Sequence, residues 1–238
     1  ERDRAARVLA SLEDFSGRDA ELQMERHAAS QKLVAAASEL TAARVSAGKK
    51  FGQKVTKELQ LLGMPSAKLS VELLSLISEP GFVAVGEKWL GPQGAERARL
   101  NFAPNPGEGI RPLASIVSGG ELSRVLLAVK GVAMEESEAG DVTFLFDEVD
   151  SGIGGETAER VGIRLKALAS GQHRQVFCVT HLAQIACYAD VHLCVGKEVR
   201  SGRTEADVAL LDPKARKQEL ARMIGGIEIT QRTLDHAG

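Results

Sequence analysis

The segment VTFLFDEVDSGIGGE, residues 142–156, is a short apolar run followed by two adjacent acids and a glycine-rich turn. A run of this length with β-branched and aromatic residues predicts a central strand that is buried on both faces. A second such run, QVFCVT at 175–180, follows a helical pattern from about residue 156 to residue 170. This alternation predicts an α/β fold with a mostly parallel sheet, flanking helices and right-handed crossovers.

Polar side chains follow both predicted strands. Asp147 and Glu148 come after the first strand, and Thr180 and His181 end the second. In open α/β sheets, ligands bind beyond the carboxyl ends of the strands, so these side chains are expected at one edge of the sheet. Taken singly, an acid pair is more often a solvated turn and a histidine is more often structural. Their joint occurrence in this order indicates a functional edge.

Ser118, Gly119 and Gly120 come directly before a patterned helix in SGGELSRVLLAVKG, residues 118–131. One explanation is a simple junction between a loop and a helix. The other is a phosphate-binding site, because glycines let backbone N–H groups approach an anion and a helix N-terminus favours negative charge. The helix is expected to pack against the sheet through one apolar face: Leu122, Val125, Leu126, Val129, Val132 and Ala133.

The first 62 residues have a different character, with no proline and with many alanine, leucine and charged residues. Steps of three and four from Leu12 to Ala47 fall mostly on apolar residues, which predicts a long amphipathic helix with a coiled-coil seam. The alternative is one helix of an ordinary bundle. After Ala47 the apolar stripe shifts by an extra step of four, to Phe51, Val55, Leu59 and Leu62.

The turn GMPS at 63–66 ends this helix, so the predicted domains are a coiled-coil arm at 1–63 and a globular region at 64–238. Residues 78–95 are rich in turn signals and receive no assignment. Alternating or apolar patterns predict further strands in AKLSVEL (67–73), ERARLNFAP (96–104), VHLCVGKEV (191–199) and TEADVALL (204–211), with helices around 183–188 and in PKARKQELARMIG (213–225).

Composition excludes several classes of function. The net charge of -2 gives no overall attraction to nucleic acid, and 4% aromatic residues disfavour a base-stacking platform. No apolar run approaches the roughly 20 residues of a membrane helix, and no secretory leader is recognised, so a cytoplasmic protein without membrane contact is expected. The three isolated cysteines, Cys178, Cys187 and Cys194, predict reduced, buried thiols rather than a metal site.

The motifs together resemble a known family. A serine and two glycines before a helix, a strand ending in Asp-Glu and a strand ending in histidine match the C-terminal half of an ABC-type ATPase head. Four segments resemble the RecN family in sequence: SGGELSRVLLAVKG, FLFDEVDSGIGG, VTHLAQIA and ELARMIGG. These are bacterial proteins of DNA double-strand-break repair, related to the structural-maintenance-of-chromosomes (SMC) ATPases.

The resemblance implies a C-terminal head lobe at 64–238 that acts with ATP and Mg²⁺. It also implies an N-terminal head lobe of the same protein, a second copy paired through ATP, DNA bound without sequence preference, and a nucleoid-associated location. By resemblance, Asp147 would hold Mg²⁺, Glu148 would orient or deprotonate the attacking water, and His181 would sense the γ-phosphate. The signature motif would be Ser118, Gly119, Gly120 and Glu121, and the contact with a second head would involve Asp150, Ser151 and Gly152.

One part of such a head is missing from the sequence. A phosphate-binding P-loop needs the pattern G-x-x-x-x-G-K-[ST], and the nearest match is AARVSAGKKF at 42–51. Ala43 stands where the first glycine belongs and Lys50 where the hydroxyl residue belongs, and the segment lies inside the predicted arm helix. ATP hydrolysis is therefore expected only together with an N-terminal lobe that carries the P-loop.

Other functions fit parts of the pattern. A zinc-hook repair ATPase would carry a Cys-x-x-Cys hook. A chromosome-condensing SMC protein would have a hinge domain and a longer arm. A transporter ATPase would usually have glutamine in place of Glu121. A non-catalytic coiled-coil scaffold that binds DNA or repair partners is the alternative of a different class. The intact Asp147, Glu148 and His181 count against it.

Two basic stretches are candidates for DNA contact, which would be independent of sequence and sensitive to salt. The alternative is that these side chains serve solubility. The first stretch, in the arm, contains Arg44, Lys49, Lys50, Lys54 and Lys57, and the second, in the last helix, contains Lys214, Arg216, Lys217 and Arg222.

Overall fold

The structure, a computed structural model, describes residues 2–115, 119–135, 140–200 and 203–226. Ser118 lies outside the described residues. The chain divides into two compact units, one made of Glu1–Lys50 with Val71–Leu100 and the other of Phe51–Ser70 with Asn101–Gly238. The boundary between residues 63 and 64, which was placed from the sequence, stays a prediction.

The first helix, α1, runs from Arg2 to Leu61 and confirms the long N-terminal helix. It begins in an alanine-rich sequence without proline, and it ends where Gly63 adopts a left-handed φ of 82°. The shifted stripe is confirmed, because Val55, Leu59 and Leu62 are fully buried. Leu33 and Leu40 of the preceding stripe are exposed. The coiled-coil seam, which needs a second helix, stays a prediction.

The unit of Glu1–Lys50 with Val71–Leu100 contains the region that the sequence left unassigned. There, β2 (Val83–Val85) and β3 (Lys88–Leu90) form an antiparallel hairpin. Leu90 and Ala95 pack with Ala37 of α1 in a small core. The Thr41 hydroxyl donates a hydrogen bond of 2.7 Å to Glu96 Oε1. The turn-rich sequence thus makes a hairpin that covers one stretch of the long helix.

Two longer strands confirm the alternating patterns that predicted them. They are β1 (Lys68–Ser75) and β4 (Glu96–Ala103). With the short β5 (Arg111–Pro112) they form a three-stranded sheet in the order β1-β4-β5. The β4–β5 pairing is antiparallel, and a 3₁₀ turn at Leu113–Ser115 follows.

The rest of the unit of Phe51–Ser70 with Asn101–Gly238 alternates helices and strands, which confirms the α/β class. Its elements are α2 (Gly119–Glu135), β6 (Val142–Phe146), α3 (Gly155–Ala169), β7 (Arg174–Cys178), α4 (Ala183–Ala186), β8 (Leu193–Arg200), β9 (Arg203–Leu210) and α5 (Pro213–Gly225). The predicted parallel pairing is confirmed for β6 and β7. The pairs β2–β3 and β8–β9 are antiparallel, as expected for strands that only two residues separate in the sequence.

Neither β6 nor β7 is buried on both faces, so this prediction was wrong. Phe144 and Phe146 of β6 are buried on one face, whereas Leu145 is 71% exposed on the other. Phe177 of β7 is exposed as well. A parallel sheet ordinarily has both faces covered. Within the part of the chain that the structure describes, no layer covers the face that carries Leu145.

The buried face of α2 also differs from the predicted one. Leu126 and Ala133 are exposed, whereas Arg124, Leu127 and Ala128 are buried. Apolar residues lie on both sides of Val125, so the sequence is compatible with burial of either face of the helix. Packing against neighbouring elements buries the face that contains Arg124. The helix forms where predicted but is rotated relative to the expected face.

Gly63→Ala is expected to lower the free energy of unfolding by about 2 kcal/mol, since alanine is strained at a positive φ. A Cβ atom at Gly63 would also lie 2.6 Å from Thr157 Cγ2. Urea denaturation measures the loss. Gly107 has a similar φ of 86° with nothing within 4 Å of an added Cβ, so Gly107→Ala should cost less. An equal loss in both variants would contradict the steric part of this explanation.

The described helices include none with both the length and the apolar character that crossing a membrane requires. The three cysteines are free thiols, as predicted, but they are not buried. Cys187 is exposed, and Cys178 and Cys194 are partly buried.

Candidate functional site

The two strand-end motifs lie together, as the sequence predicted. In the parallel pair of β6 and β7, Phe146 is in register with Cys178, and Val179 N–H donates a hydrogen bond of 2.9 Å to the Phe146 carbonyl. Asp147 and Glu148 leave the end of β6, and His181 follows the end of β7. Three ionisable side chains therefore project at the same edge of the sheet.

The acid pair has a defined backbone geometry. Asp147 Oδ1 accepts a hydrogen bond of 2.9 Å from the Glu148 N–H, and the Ser123 hydroxyl donates one of 2.7 Å to the Asp147 carbonyl. Glu148 has a left-handed φ of 57°, which is uncommon for a residue with a side chain. Both carboxylates are exposed. The two carboxylates are thus exposed to solvent, and the hydrogen bond from Ser123 of α2 holds the backbone of the turn.

The glycines at the start of α2 permit close packing against this turn. A Cβ atom on Gly119 would collide with the Glu148 carboxylate, and one on Gly120 would lie 2.7 Å from Ser151 Cβ. The Glu148 carboxylate therefore lies beside the N-terminus of α2, where negative charge is favoured. The glycines have a structural role in this chain, and it is compatible with the phosphate-binding interpretation. Ser118 is outside the described residues.

Arg124 is a residue of the site that the sequence reasoning missed. Its side chain is only 7% exposed, and its Nη1 donates to the Ser151 carbonyl at 2.8 Å and the Val149 carbonyl at 3.4 Å. Burial lowers the pKa of this guanidinium. Arg124 thus ties α2 to the loop after the acid pair. The only signal in the sequence is a charged residue within an apolar helix.

Asp150 is buried, with 5% of its surface exposed. Its Oδ2 accepts hydrogen bonds from the Thr180 hydroxyl at 2.6 Å and the His181 backbone N–H at 2.9 Å, and lies 2.9 Å from His181 Nδ1. This side chain is thus enclosed within its own chain, and its expected place at the contact with a second head stays a prediction. Ser151 and Gly152 are exposed, and their role at such a contact stays a prediction.

Cys178 is the last residue of β7 and therefore lies close to the same edge of the sheet. Burial, with smaller contributions from the carboxylates of Asp150 and Asp147, raises the pKa of Cys178 to about 12. The thiol is therefore protonated at neutral pH and is a poor nucleophile or metal ligand. The described residues contain no group of three or more histidine, cysteine or acidic side chains that could hold a metal ion.

Some residues of the two basic stretches form hydrogen bonds or ion pairs within the chain. Arg44 donates to the Glu96 carbonyl at 3.3 Å, and Lys54 contacts Glu135 at 3.3 Å. In α5, Arg216 donates to the Cys187 carbonyl at 3.0 Å, and Arg222 pairs with Glu219. The remaining candidates are exposed: Lys49, Lys50, Lys57, Lys214 and Lys217. DNA contact by these residues stays a prediction.

The near-match to a P-loop is confirmed as a false one. Residues 42–51 lie within α1, whereas a P-loop is a glycine-rich turn between a strand and a helix. An uninterrupted helix has no free row of backbone N–H groups with which to surround a phosphate.

The sequence matches curated proteins along nearly its whole length. It is 37% identical to the DNA repair protein RecN of Treponema pallidum over 236 residues, which are 99% of this chain and 40% of that protein. It is 41% identical to RecN of Streptomyces coelicolor over 215 residues, which are 90% of this chain and 37% of that protein. The chain belongs to the RecN family. No protein-family model matches the sequence.

A more distant member, RecN of Bacillus subtilis, is 31% identical over 98% of this chain and 41% of its own length. The RecN-family chain thus spans about two fifths of the length of these relatives. It also has a weak similarity to solved SMC heads. A head with coiled coil and joint from Pyrococcus yayanosii has 18% identity and a TM-score of 0.44, covering 71% of this chain and 28% of that one. A head domain from Thermotoga maritima has 20% identity and a TM-score of 0.33, covering 74% and 52%.

Proposed function

We propose that this chain supplies the hydrolytic edge of an SMC-like ATPase that acts in DNA double-strand-break repair. The observation that carries the proposal is the position of Asp147, Glu148 and His181 at the carboxyl ends of the adjacent parallel strands β6 and β7. Ligands bind at this edge in open α/β sheets. Membership of the RecN family supports the cellular role, in the cytoplasm and on the nucleoid.

The residues present fit a Mg²⁺ ion that is bound chiefly through the nucleotide. Mg²⁺ keeps several waters and needs only one or two protein carboxylates besides phosphate oxygens. Asp147 supplies an exposed carboxylate on a fixed backbone, and no larger set of acids is required. When bound, the ion would neutralise charge on the β- and γ-phosphates.

Glu148 has the position of a general base. Its exposed carboxylate would accept a proton from water as the water oxygen attacks the γ-phosphorus and the bond to the bridging oxygen of ADP breaks. In the chain as described, this carboxylate lies beside the α2 N-terminus. His181 would contact the γ-phosphate from the end of β7. The signature residues Ser118, Gly119, Gly120 and Glu121 would contact ATP held on a second copy.

The proposed activity requires polypeptide beyond these residues, because the sequence holds no P-loop. The open face of β6 and β7 supports this requirement, since a two-stranded parallel sheet with Leu145 and Phe177 exposed lacks the layer that such sheets have. We assign that layer to an N-terminal lobe of the complete RecN-family protein. Two such heads would then pair through ATP, and DNA would bind without sequence preference.

The test compares ATP turnover by this chain alone and by the complete RecN-family protein that carries it. We expect Mg²⁺-dependent turnover by the complete protein and none by the chain alone. A second arm uses Leu145→Asp, which should prevent the chain from complementing a separately expressed N-terminal lobe. Val195→Asp, at an exposed position of β8, is the matched control. Absence of turnover in the complete protein, with DNA binding retained, would favour the non-catalytic scaffold instead.

A further inference from the structure

The Asp150 carboxylate is enclosed by donors that come from one short segment. The Thr180 hydroxyl and the His181 N–H both donate to Oδ2, and the Leu182 N–H donates in turn to Thr180 Oγ1 at 3.1 Å. A buried carboxylate is strongly destabilised unless donors of this kind satisfy it. The same oxygen lies 2.9 Å from His181 Nδ1. The end of β7 is therefore folded around Asp150.

This arrangement favours one ring nitrogen of His181 as the site of the proton. An ionised carboxylate only accepts hydrogen bonds, so at a distance of 2.9 Å it favours the form of the ring that carries the proton on Nδ1. In the neutral ring, Nε2 is then an unprotonated acceptor, and in the charged ring it is a donor. The His181 side chain is 75% exposed although Asp150 is not. The Nδ1 atom thus contacts a buried carboxylate, while the rest of the ring is exposed to solvent.

A second pair in the same chain has the same atoms in a different environment. His173 Nδ1 lies 2.8 Å from Asp141 Oδ1, but that carboxylate is 91% exposed. Water competes for both partners there, and exposed pairs of this kind contribute little. The burial of Asp150 and its two further donors are what distinguish the His181 pair.

We infer that Asp150 is a positioning residue that holds His181 in its Nδ1–H form, with Nε2 directed away from the protein interior. This inference rests on the proposed function for the identity of the group that Nε2 meets, the terminal phosphate of a nucleotide. Phosphate oxygens only accept hydrogen bonds, so Nε2 would donate to them from the charged ring, whose Nδ1–H stays on the Asp150 carboxylate. Asp150 itself touches no substrate. Its role resembles that of the carboxylate that orients a metal-ligating histidine through the other ring nitrogen, where loss of the partner typically lowers metal affinity or activity by about 10–100-fold.

The tautomer can be measured without any nucleotide. Long-range proton–nitrogen correlation spectra of the 238-residue chain, labelled with ¹⁵N-histidine, report which ring nitrogen is protonated. His181→Gln assigns the His181 signals. We expect the neutral form of His181 to carry its proton on Nδ1. A proton on Nε2 in the unmodified chain would overturn the inference, and this outcome does not depend on the folding of any variant.

Asp150→Asn is the informative substitution, and Asp141→Asn is its matched control. Because an amide is a weaker acceptor than a carboxylate, Asp150→Asn should raise the Nε2–H population of His181. The Asp141→Asn change should leave the His181 spectrum unaltered. An unchanged His181 tautomer in a folded Asp150→Asn variant would also overturn the inference.

Kinetics in the complete RecN-family protein separate positioning from a structural role. Asp150→Asn should lower kcat for ATP by about 10–100-fold with less than a threefold change in KM, whereas Asp141→Asn should alter neither. If the tautomer changes but kcat stays within about twofold, the positioning role is wrong. If the unmodified protein has no ATPase activity, the proposed function fails while the tautomer assignment is decided separately by the spectra.

Discussion

Glu148→Gln in the complete RecN-family protein is expected to reduce ATP turnover by at least about a hundredfold, because loss of a general base typically costs about 10²–10⁴ in rate. Glutamine preserves the size of the side chain but cannot accept a proton from water. Nucleotide and Mg²⁺ binding should persist, since Asp147 is unchanged. The ATP-bound, paired form should accumulate and outlast that of the unmodified protein. Steady-state turnover and size-exclusion chromatography with ATP measure the two effects.

The matched control for this experiment is Glu156→Gln. Glu156 is also an exposed carboxylate of the segment after β6, but it pairs with Arg160 on the surface of α3. Its substitution should change turnover by less than about threefold, in the range of surface substitutions. Near-normal turnover in Glu148→Gln would contradict the catalytic assignment. A variant that neither turns over ATP nor pairs would indicate a role for Glu148 in binding or folding.

Arg124→Met is expected to lower the free energy of unfolding by about 2–3 kcal/mol, because it removes the buried donor from the carbonyls of Ser151 and Val149, the second of which belongs to a fully buried residue. Methionine fills similar volume, so the loss reports hydrogen bonding more than packing. Arg124→Lys retains the charge but not the branched donor. Its free energy of unfolding should lie between those of the unmodified chain and Arg124→Met. Urea denaturation measures stability, and hydrogen exchange should show faster opening of residues 147–153.

Arg160→Met provides the comparison on the same unit of the chain. Arg160 pairs with the exposed Glu156 on the surface of α3. Exposed ion pairs contribute about 0–1 kcal/mol, so this variant should lose much less stability. Similar losses at Arg124 and Arg160 would show that the buried contacts of Arg124 do not hold the loop.

Local patterns were sufficient to predict most elements and their order. The last helix illustrates the reason: Asp212 caps the first turn by accepting the Ala215 N–H, Pro213 begins the helix, and Gly226 ends it with a positive φ. The motif at Asp147 and Glu148 and the histidine after β7 were also placed correctly, because parallel neighbouring strands must end at the same edge. The helix ends and the strand ends depend on residues close together in the sequence, and the shared edge then follows from the parallel pairing of β6 and β7.

The sequence by itself thus determined an α/β chain with a long first helix and a polar edge on one parallel strand pair. Only the tertiary structure decided that β6 keeps one apolar face open, that α2 turns Arg124 inward, and that the Asp150 carboxylate is buried against Thr180 and His181. An apolar run has the same composition whether or not another layer covers it. Burial and the choice of a hydrogen-bond partner are set by residues that are distant in sequence, so a local pattern cannot contain them.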